Sequence, residues 1–294
     1  MNEFAIEVDA LSQAYGRREV LDRIELRAGP GEVIGLVGRN GCGKTTLLET
    51  LAGLHQPSSG QCRLLGQPSL DMPEDVRQQF GFVFQEEELF DWMVVSDHVD
   101  LVGSMYTNWD KTHVRQLLKR WRVPTGEQVS RLSRGQRQML GIILALGHAP
   151  RVLLLDEPAS ALDPVARREF LGELVELALD ERRTVVFSSH LLTDVERVAT
   201  RIWLMREGRV LLDDSLDHLK EGMLQLRVHK GRQAAELPPS LNGELKRQQH
   251  DWGESVLLYQ PSREEIEELQ QDLGEQLITR NMGLDELAVE LLSE

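Results

Sequence analysis

The sequence predicts an α/β protein built on a parallel sheet, and three observations carry that prediction. Val33-Ile34-Gly35-Leu36-Val37, Val152-Leu153-Leu154-Leu155 and Thr184-Val185-Val186-Phe187-Ser188 are continuous apolar runs, the pattern of strands covered on both faces. Helical stretches at 44–54, 134–147 and 164–179 lie between and around them, which is the alternation of βαβ units. The first run passes directly into Gly38-Arg39-Asn40-Gly41-Cys42-Gly43-Lys44-Thr45-Thr46, so a glycine-rich turn joins a strand to a helix with the spacing G-x-x-x-x-G-K-T.

In chain order, residues 4–10 and 19–27 alternate like strands about a turn at Tyr15-Gly16-Arg17-Arg18, giving an N-terminal antiparallel β subdomain. The strand at 32–37 then leads into the glycine-rich turn. Gly38, Gly41 and Gly43 let the backbone curl until its N–H groups face a phosphate. The following helix aims its positive end at the same point. Lys44 can reach the β- and γ-phosphates, and Thr45 can place its hydroxyl on Mg²⁺. Arg39, Asn40, Cys42 and Thr46 complete the loop, so the expected core is a P-loop NTPase that binds a nucleoside triphosphate. The helix closes at Gly53, Pro57–Gly60 is a loop, and 61–65 and 80–84 read as strands. Residues 96–122 are helical with a break at Trp109-Asp110, and 86–148 as a whole read as an inserted helical subdomain. The strand at 152–156 ends in Asp156, the helix at 164–179 follows, and 184–188 is the next buried strand. Residues 201–212 look like a hairpin about Glu207-Gly208. In such sheets the ligand belongs at the carboxyl ends of the strands. The expected domains are 1–222 and an accessory α+β domain at 223–294. The latter has strands at 224–228 and 255–259, capping-box spacing at Ser262 and Glu265, and an amphipathic helix at 283–292.

Composition narrows the classes. The 294 residues suffice for one sizeable domain and a small one. No apolar run approaches the ~20 residues that span a bilayer, and the first residues lack the basic and apolar regions of a signal peptide. Two cysteines, one inside the phosphate loop, do not make a disulfide framework, and a reducing, cytoplasmic setting is expected. A net charge of −15 argues against nucleic-acid binding and against direct adhesion to an anionic membrane. Membrane association is therefore expected through a protein partner.

Four further motifs follow in fixed order. Leu132-Ser133-Arg134-Gly135-Gln136 precedes a helix; Asp156-Glu157-Pro158 ends a strand; Ser160-Ala161-Leu162-Asp163 comes at once; His190 closes the strand ending Ser188-Ser189. With Gln85 after the strand ending at Phe84, residues 4 to about 220 resemble the nucleotide-binding subunit of an ABC transporter. The resemblance implies ATP and Mg²⁺ as ligands, with Asp156, Thr45 and Gln85 on the metal. It implies Glu157 as general base for the attacking water, a role worth ~10²–10⁴ in rate, and His190 as the group contacting the γ-phosphate. Tyr15 sits where the family places an aromatic on adenine. Ser133, Gly135 and Gln136 are the signature that meets the nucleotide of an opposite subunit, and Asp163 links the two sites. Arg134 departs from the family's commoner glycine, which implies a retuned dimer affinity. The C-terminal piece is similar to extensions of ATPases paired with ABC-2 type exporters.

What the resemblance implies is an ATPase powering a transporter, more an exporter than an importer, peripheral on the inner face of the cell membrane through transmembrane permease subunits. Its second nucleotide-binding subunit is a copy of itself or a similar chain. Leu89, Phe90, Trp92 and Met93, within 86–106, form an apolar cluster rimmed by acids, suited either to a permease helix or to packing within the helical subdomain. The alternative is a soluble ABC ATPase acting on nucleic acid or the ribosome, against which stand the single cassette and the negative charge.

Overall fold

The computed structural model describes residues 4–86, 88–179, 182–229, 237–283, 286–287 and 290. The chain divides into two compact units, 1–213 and 214–294, a division that falls ahead of the 222/223 boundary expected above.

The first unit opens with strand β1 (Ile6–Tyr15) and β2 (Arg18–Ala28), followed by β3 (Val33–Gly38), helix α1 (Lys44–Leu51), β4 (Ser59–Leu64) and the short β5 (Gln67–Pro68). β1 pairs antiparallel with both β2 and β4, so the first sheet has the order β2-β1-β4-β5. Ile6 and Val8, then Leu11 and Gln13 of β1 are buried, the alternation of a half-covered sheet interrupted by a register shift between Val8 and Leu11. Then come α2 (Glu74–Arg77), β6 (Phe80–Val83), α3 (Val95–Gly103), α4 (Lys111–Arg120), α5 (Arg134–Leu146), β7 (Val152–Leu155), α6 (Pro164–Ala178), β8 (Thr184–Ser189), α7 (Leu192–Val198), β9 (Arg201–Arg206) and β10 (Arg209–Ser215). The second sheet runs β10-β9-β3-β8-β7-β6, and within it β9, β3, β8, β7 and β6 are parallel to one another. Every residue of β3, β7 and β8 is buried, as continuous apolar runs require. Ile6, Leu11, Leu36, Leu47, Leu154 and Trp203 meet in one core; each fully buried side chain of this size contributes roughly 1.5–3 kcal/mol.

Between β6 and β7 stand α3, α4 and α5, the expected helical insertion. Its break at Trp109-Asp110 is physical: the Asp110 carboxylate accepts from the N–H groups of Thr112 and His113 and caps α4. Trp109 lies against Gly103 and Gly147, where any added Cβ would meet its ring. Glu173 on α6 is buried and pairs with Arg120 of α4 at 2.7 Å; burial pushes its carboxyl above the usual range.

The second unit contains α8 (Leu216–Gly222), β11 (Met223–His229), β12 (Glu244–His250), β13 (Gly253–Tyr259), α9 (Arg263–Leu273) and β14 (Leu277–Asn281). Its antiparallel sheet has the order β12-β13-β11-β14. Ile266, Leu269 and Leu273 of α9 pack on Leu226, Val228, Val256 and Leu258. β12 and β14 were not expected from the sequence. Ser262 makes no side-chain cap on α9; Glu265 instead accepts the N–H of Asn242 at 3.1 Å. The amphipathic helix expected at 283–292 falls largely outside the described residues.

Candidate functional site

The site is built where β3, β7 and β8 end. Gly41 and Gly43 take φ values of 81° and 108°, the left-handed region that glycine enters without cost. At Gly43 a Cβ would stand 2.8 Å from Leu21 and 3.0 Å from the Val20 carbonyl, so the turn needs glycine for space as well. Lys44 is 6 % exposed. Its Nζ donates to the Gly38 carbonyl at 2.8 Å and to that of Arg39 at 3.4 Å, and lies 3.7 Å from Glu157 Oε1. Gly38 and Arg39 thus anchor the lysine, and Cys42 is buried behind the loop, where desolvation raises its thiol above the usual range. A cavity of about 500 Å³ opens at this point, lined by Tyr15, Asn40, Gly41, Gly43, Lys44, Thr45, Thr46, Gln85 and Glu157, together with Arg18 and Val20. Its size suits a small-molecule ligand. Tyr15 is half exposed at the rim, with His55 edge-on to its ring at 6.1 Å.

The carboxylates come from the end of β7. The register pairs Leu155 with Phe187, and that brings Asp156 beside Ser188 on the neighbouring strand. The buried Ser188 hydroxyl donates to Asp156 Oδ1 at 2.7 Å and accepts the Glu157 N–H at 2.7 Å. Glu157 has φ 45°, an uncommon conformation for a non-glycine residue that costs of order 1–3 kcal/mol when held by its surroundings. It turns the carboxylate back over the loop: Oε2 meets His190 Nδ1 at 2.8 Å, while the buried Oε1 has no hydrogen-bond partner and faces the Lys44 ammonium. A buried acceptor of this kind suits a water or a ligand hydrogen. Thr45, Gln85 and Asp156 offer a hydroxyl, an amide oxygen and a carboxylate, oxygen donors of the hard kind that would fit a magnesium ion.

Ser133, Gly135, Gln136 and Asp163 are not in this cavity. They line a second groove of about 500 Å³ with Trp121, Arg122, Arg134 and Glu169. Here Ser133 caps α5: its hydroxyl accepts the Gln136 N–H at 3.2 Å while the Gln136 amide accepts the Ser133 N–H at 3.0 Å. Asp163 caps α6 by accepting from Val165 and Ala166. The candidate residues therefore form two groups, one on the phosphate loop and one on the first turns of α5 and α6.

Sequence reasoning did not find Ser188 as the link between the Asp156 carboxylate and the Glu157 backbone, nor Arg18 and Val20 on the cavity wall. The signal for Ser188 is a polar residue inside an otherwise apolar buried strand, since a buried hydroxyl requires partners.

Residues 21–160 match the sequence family described as ABC transporter. The aliphatic sulfonates import ATP-binding protein SsuB of Pectobacterium atrosepticum is 36 % identical over 213 residues, 72 % of this chain and 78 % of that protein. The bacitracin transport ATP-binding protein BcrA of Bacillus licheniformis is 28 % identical over 218 residues, 74 % and 71 % of the two chains. The fold is shared with the solved dimeric structure of a bacterial ABC transporter cassette, at a TM-score of 0.65 and 25 % identity over 72 % of this chain and 98 % of that one. Phosphate loop, parallel sheet, antiparallel β subdomain and helical insertion all agree with that likeness, and the chain belongs to the ABC transporter family as an ATP-binding, ATP-hydrolysing subunit.

Proposed function

We propose that two such subunits close around ATP and that hydrolysis reopens them, driving a transmembrane permease, in the direction of export. The observation that carries this reading is that Glu157, on the phosphate cavity with Lys44, reaches both Lys44 and His190, with Ser133 and Gly135 in a separate groove. Within one chain the signature does not line the phosphate cavity, so a second subunit would supply it. Lys44 holds the phosphates, Glu157 takes the proton of the attacking water, and His190 orients that water and the γ-phosphate. Thr45, Gln85 and Asp156 would hold Mg²⁺, which when bound neutralises charge on the phosphate oxygens. Tyr15 offers a ring face to the base, worth roughly 1–3 kcal/mol by stacking.

Phe90 and Trp92 are exposed, Trp92 by 71 %, and Leu89 and Met93 are partly so. Exposed aromatic anchors among acids favour the permease reading of this segment over core packing. Among the described residues no helix is long and apolar enough to cross a membrane, and the permease is the proposed attachment to the inner face. Export rests on the resemblance of the C-terminal piece to those of exporter ATPases.

The test is Glu157→Gln. The variant should bind ATP, lose ~10²–10⁴ in hydrolysis, accumulate as a dimer by light scattering, and retain one polytopic protein on affinity capture from membranes. Hydrolysis at the parent rate refutes the base. Capture of ribosomes in place of a membrane protein refutes the transport reading, and inward pumping by the reconstituted complex refutes export.

A further inference from the structure

His190 lies in a turn between β8 and α7, with its side chain 50 % exposed. Its contact with Glu157 at 2.8 Å must be held by the segments on either side. On one side Ser189 Oγ accepts the Leu191 N–H at 3.0 Å and donates to the Leu191 carbonyl at 3.2 Å. On the other side α7 begins with no side-chain cap. What fixes α7 instead is Asp194, in its first turn. The Asp194 side chain is 8 % exposed. Arg167 grips it with a fork: Nε donates to Oδ1 at 2.9 Å and to Oδ2 at 2.8 Å, and Nη2 donates to Oδ2.

Arg167 stands at an equally informative place. Its N–H donates to the Asp163 carbonyl at 2.9 Å, so it closes the first turn of α6. That helix ends the loop that starts at Glu157, and the loop is itself tightened by the bond from the Ser160 N–H to the Glu157 carbonyl at 3.0 Å. One ion pair therefore ties the segment after Glu157 to the segment after His190. Arg167 and Asp194 also line the same small cavity as Glu157, Ser188 and His190, so the clamp adjoins the pair it would align.

We infer that Arg167 and Asp194 are positioning residues for hydrolysis, whose fork sets the separation of the His190 imidazole and the Glu157 carboxylate. The inference rests on the proposed roles of those two groups. Neither clamp residue touches the phosphate cavity, and the Lys44 anchors on Gly38 and Arg39 do not involve them. Loosening the clamp therefore acts on the chemical step and leaves nucleotide binding in place. A planar guanidinium presents two parallel donors where an ammonium presents a point charge, so Arg167→Lys keeps the charge and loses the alignment.

The experiment measures steady-state ATP hydrolysis and nucleotide affinity of the full chain as parent, Arg167→Lys, Asp194→Asn, Glu157→Gln and the double variant Arg167→Lys/Glu157→Gln. Misplacement of a reacting group by about 1 Å costs on the order of 10²-fold. The expected result is a fall in kcat of about 10–100-fold in both clamp variants, with KM and ATP affinity within about threefold of the parent and no further loss in the double variant. Parent-level kcat in Arg167→Lys and Asp194→Asn, with Glu157→Gln inactive, overturns the clamp and leaves the base assignment standing. Losses of kcat and ATP affinity in equal measure make the pair structural and also overturn it. Hydrolysis at the parent rate in Glu157→Gln overturns the underlying mechanism first.

Discussion

Replacing Ser188 with alanine removes one oxygen from the site yet should cost more than most core truncations of that size. The hydroxyl is fully buried and has two partners: it donates to Asp156 Oδ1 and accepts from the Glu157 N–H, each at 2.7 Å. A hydrogen bond to a charged group is worth ~1.5–3 kcal/mol, and a buried N–H left without an acceptor costs ~1–3 kcal/mol. Because both share one oxygen the two terms do not simply add, and a loss of about 3 kcal/mol is expected. In a unit of 213 residues that corresponds to a fall of about 6–12 °C in Tm. The loss should also reach function, because the positive φ of Glu157 is held partly by that N–H. Once released, the residue can relax toward an ordinary conformation and withdraw its carboxylate from His190. The assay is calorimetry of the nucleotide-free protein, followed by ATP hydrolysis at a temperature where the variant remains folded. A Tm within 2 °C of the parent, together with unchanged kcat, would falsify the idea that this hydroxyl organises the two carboxylates.

Two further perturbations test the rest of the first unit. Gly103→Ala places a methyl 2.6 Å from Trp109 Nε1 and should destabilise by about 1–3 kcal/mol through overpacking; pairing it with Trp109→Leu should recover much of that in urea titration, and an unshifted midpoint in the single variant counts against the packing argument. His98 and His148 are both buried, and burial holds their imidazoles below the usual range. The unfolded chain therefore takes up protons at a higher pH than the folded one, so stability is complete above about pH 6.5 and declines as pH falls below it. Tm should drop between pH 7.5 and 5.5, and less so in His98→Gln/His148→Gln; equal slopes would remove these histidines from the account.

Much of the fold was legible because its strongest signals are local. The apolar runs of β3, β7 and β8 could only be strands covered on both faces, and the phosphate loop is contiguous, so its glycines and lysine stand in the order in which they act. β12 was not legible. Its sequence, Glu244-Leu245-Lys246-Arg247-Gln248-Gln249-His250, has no alternation and a single apolar residue, Leu245. It becomes a strand by pairing with β13, while Arg247 bridges Glu244 and Glu254. The two S-x-x-E/Q spacings make the same point. Ser133 and Gln136 close a capping box, whereas Glu265 is drawn away from Ser262 by the Asn242 N–H, a competitor more than twenty positions distant.

The sequence established the ligand class, since a strand, a glycine-rich turn and Lys44 bind phosphate through groups that are neighbours along the chain. It also supplied the acids and the histidine as candidates, through motifs whose order resembles a known family. Their assembly required the sheet. Parallel strands are aligned by backbone bonds between segments far apart in the chain, and the register of β7 on β8 puts Asp156 and Glu157 on one serine hydroxyl. The register of β3 on β8 brings Lys44's loop to the same end. Composition does not encode those offsets; the burial of β7 and β8 on both faces does, because a shift in pairing would strand apolar side chains in water and leave two carboxylates without partners.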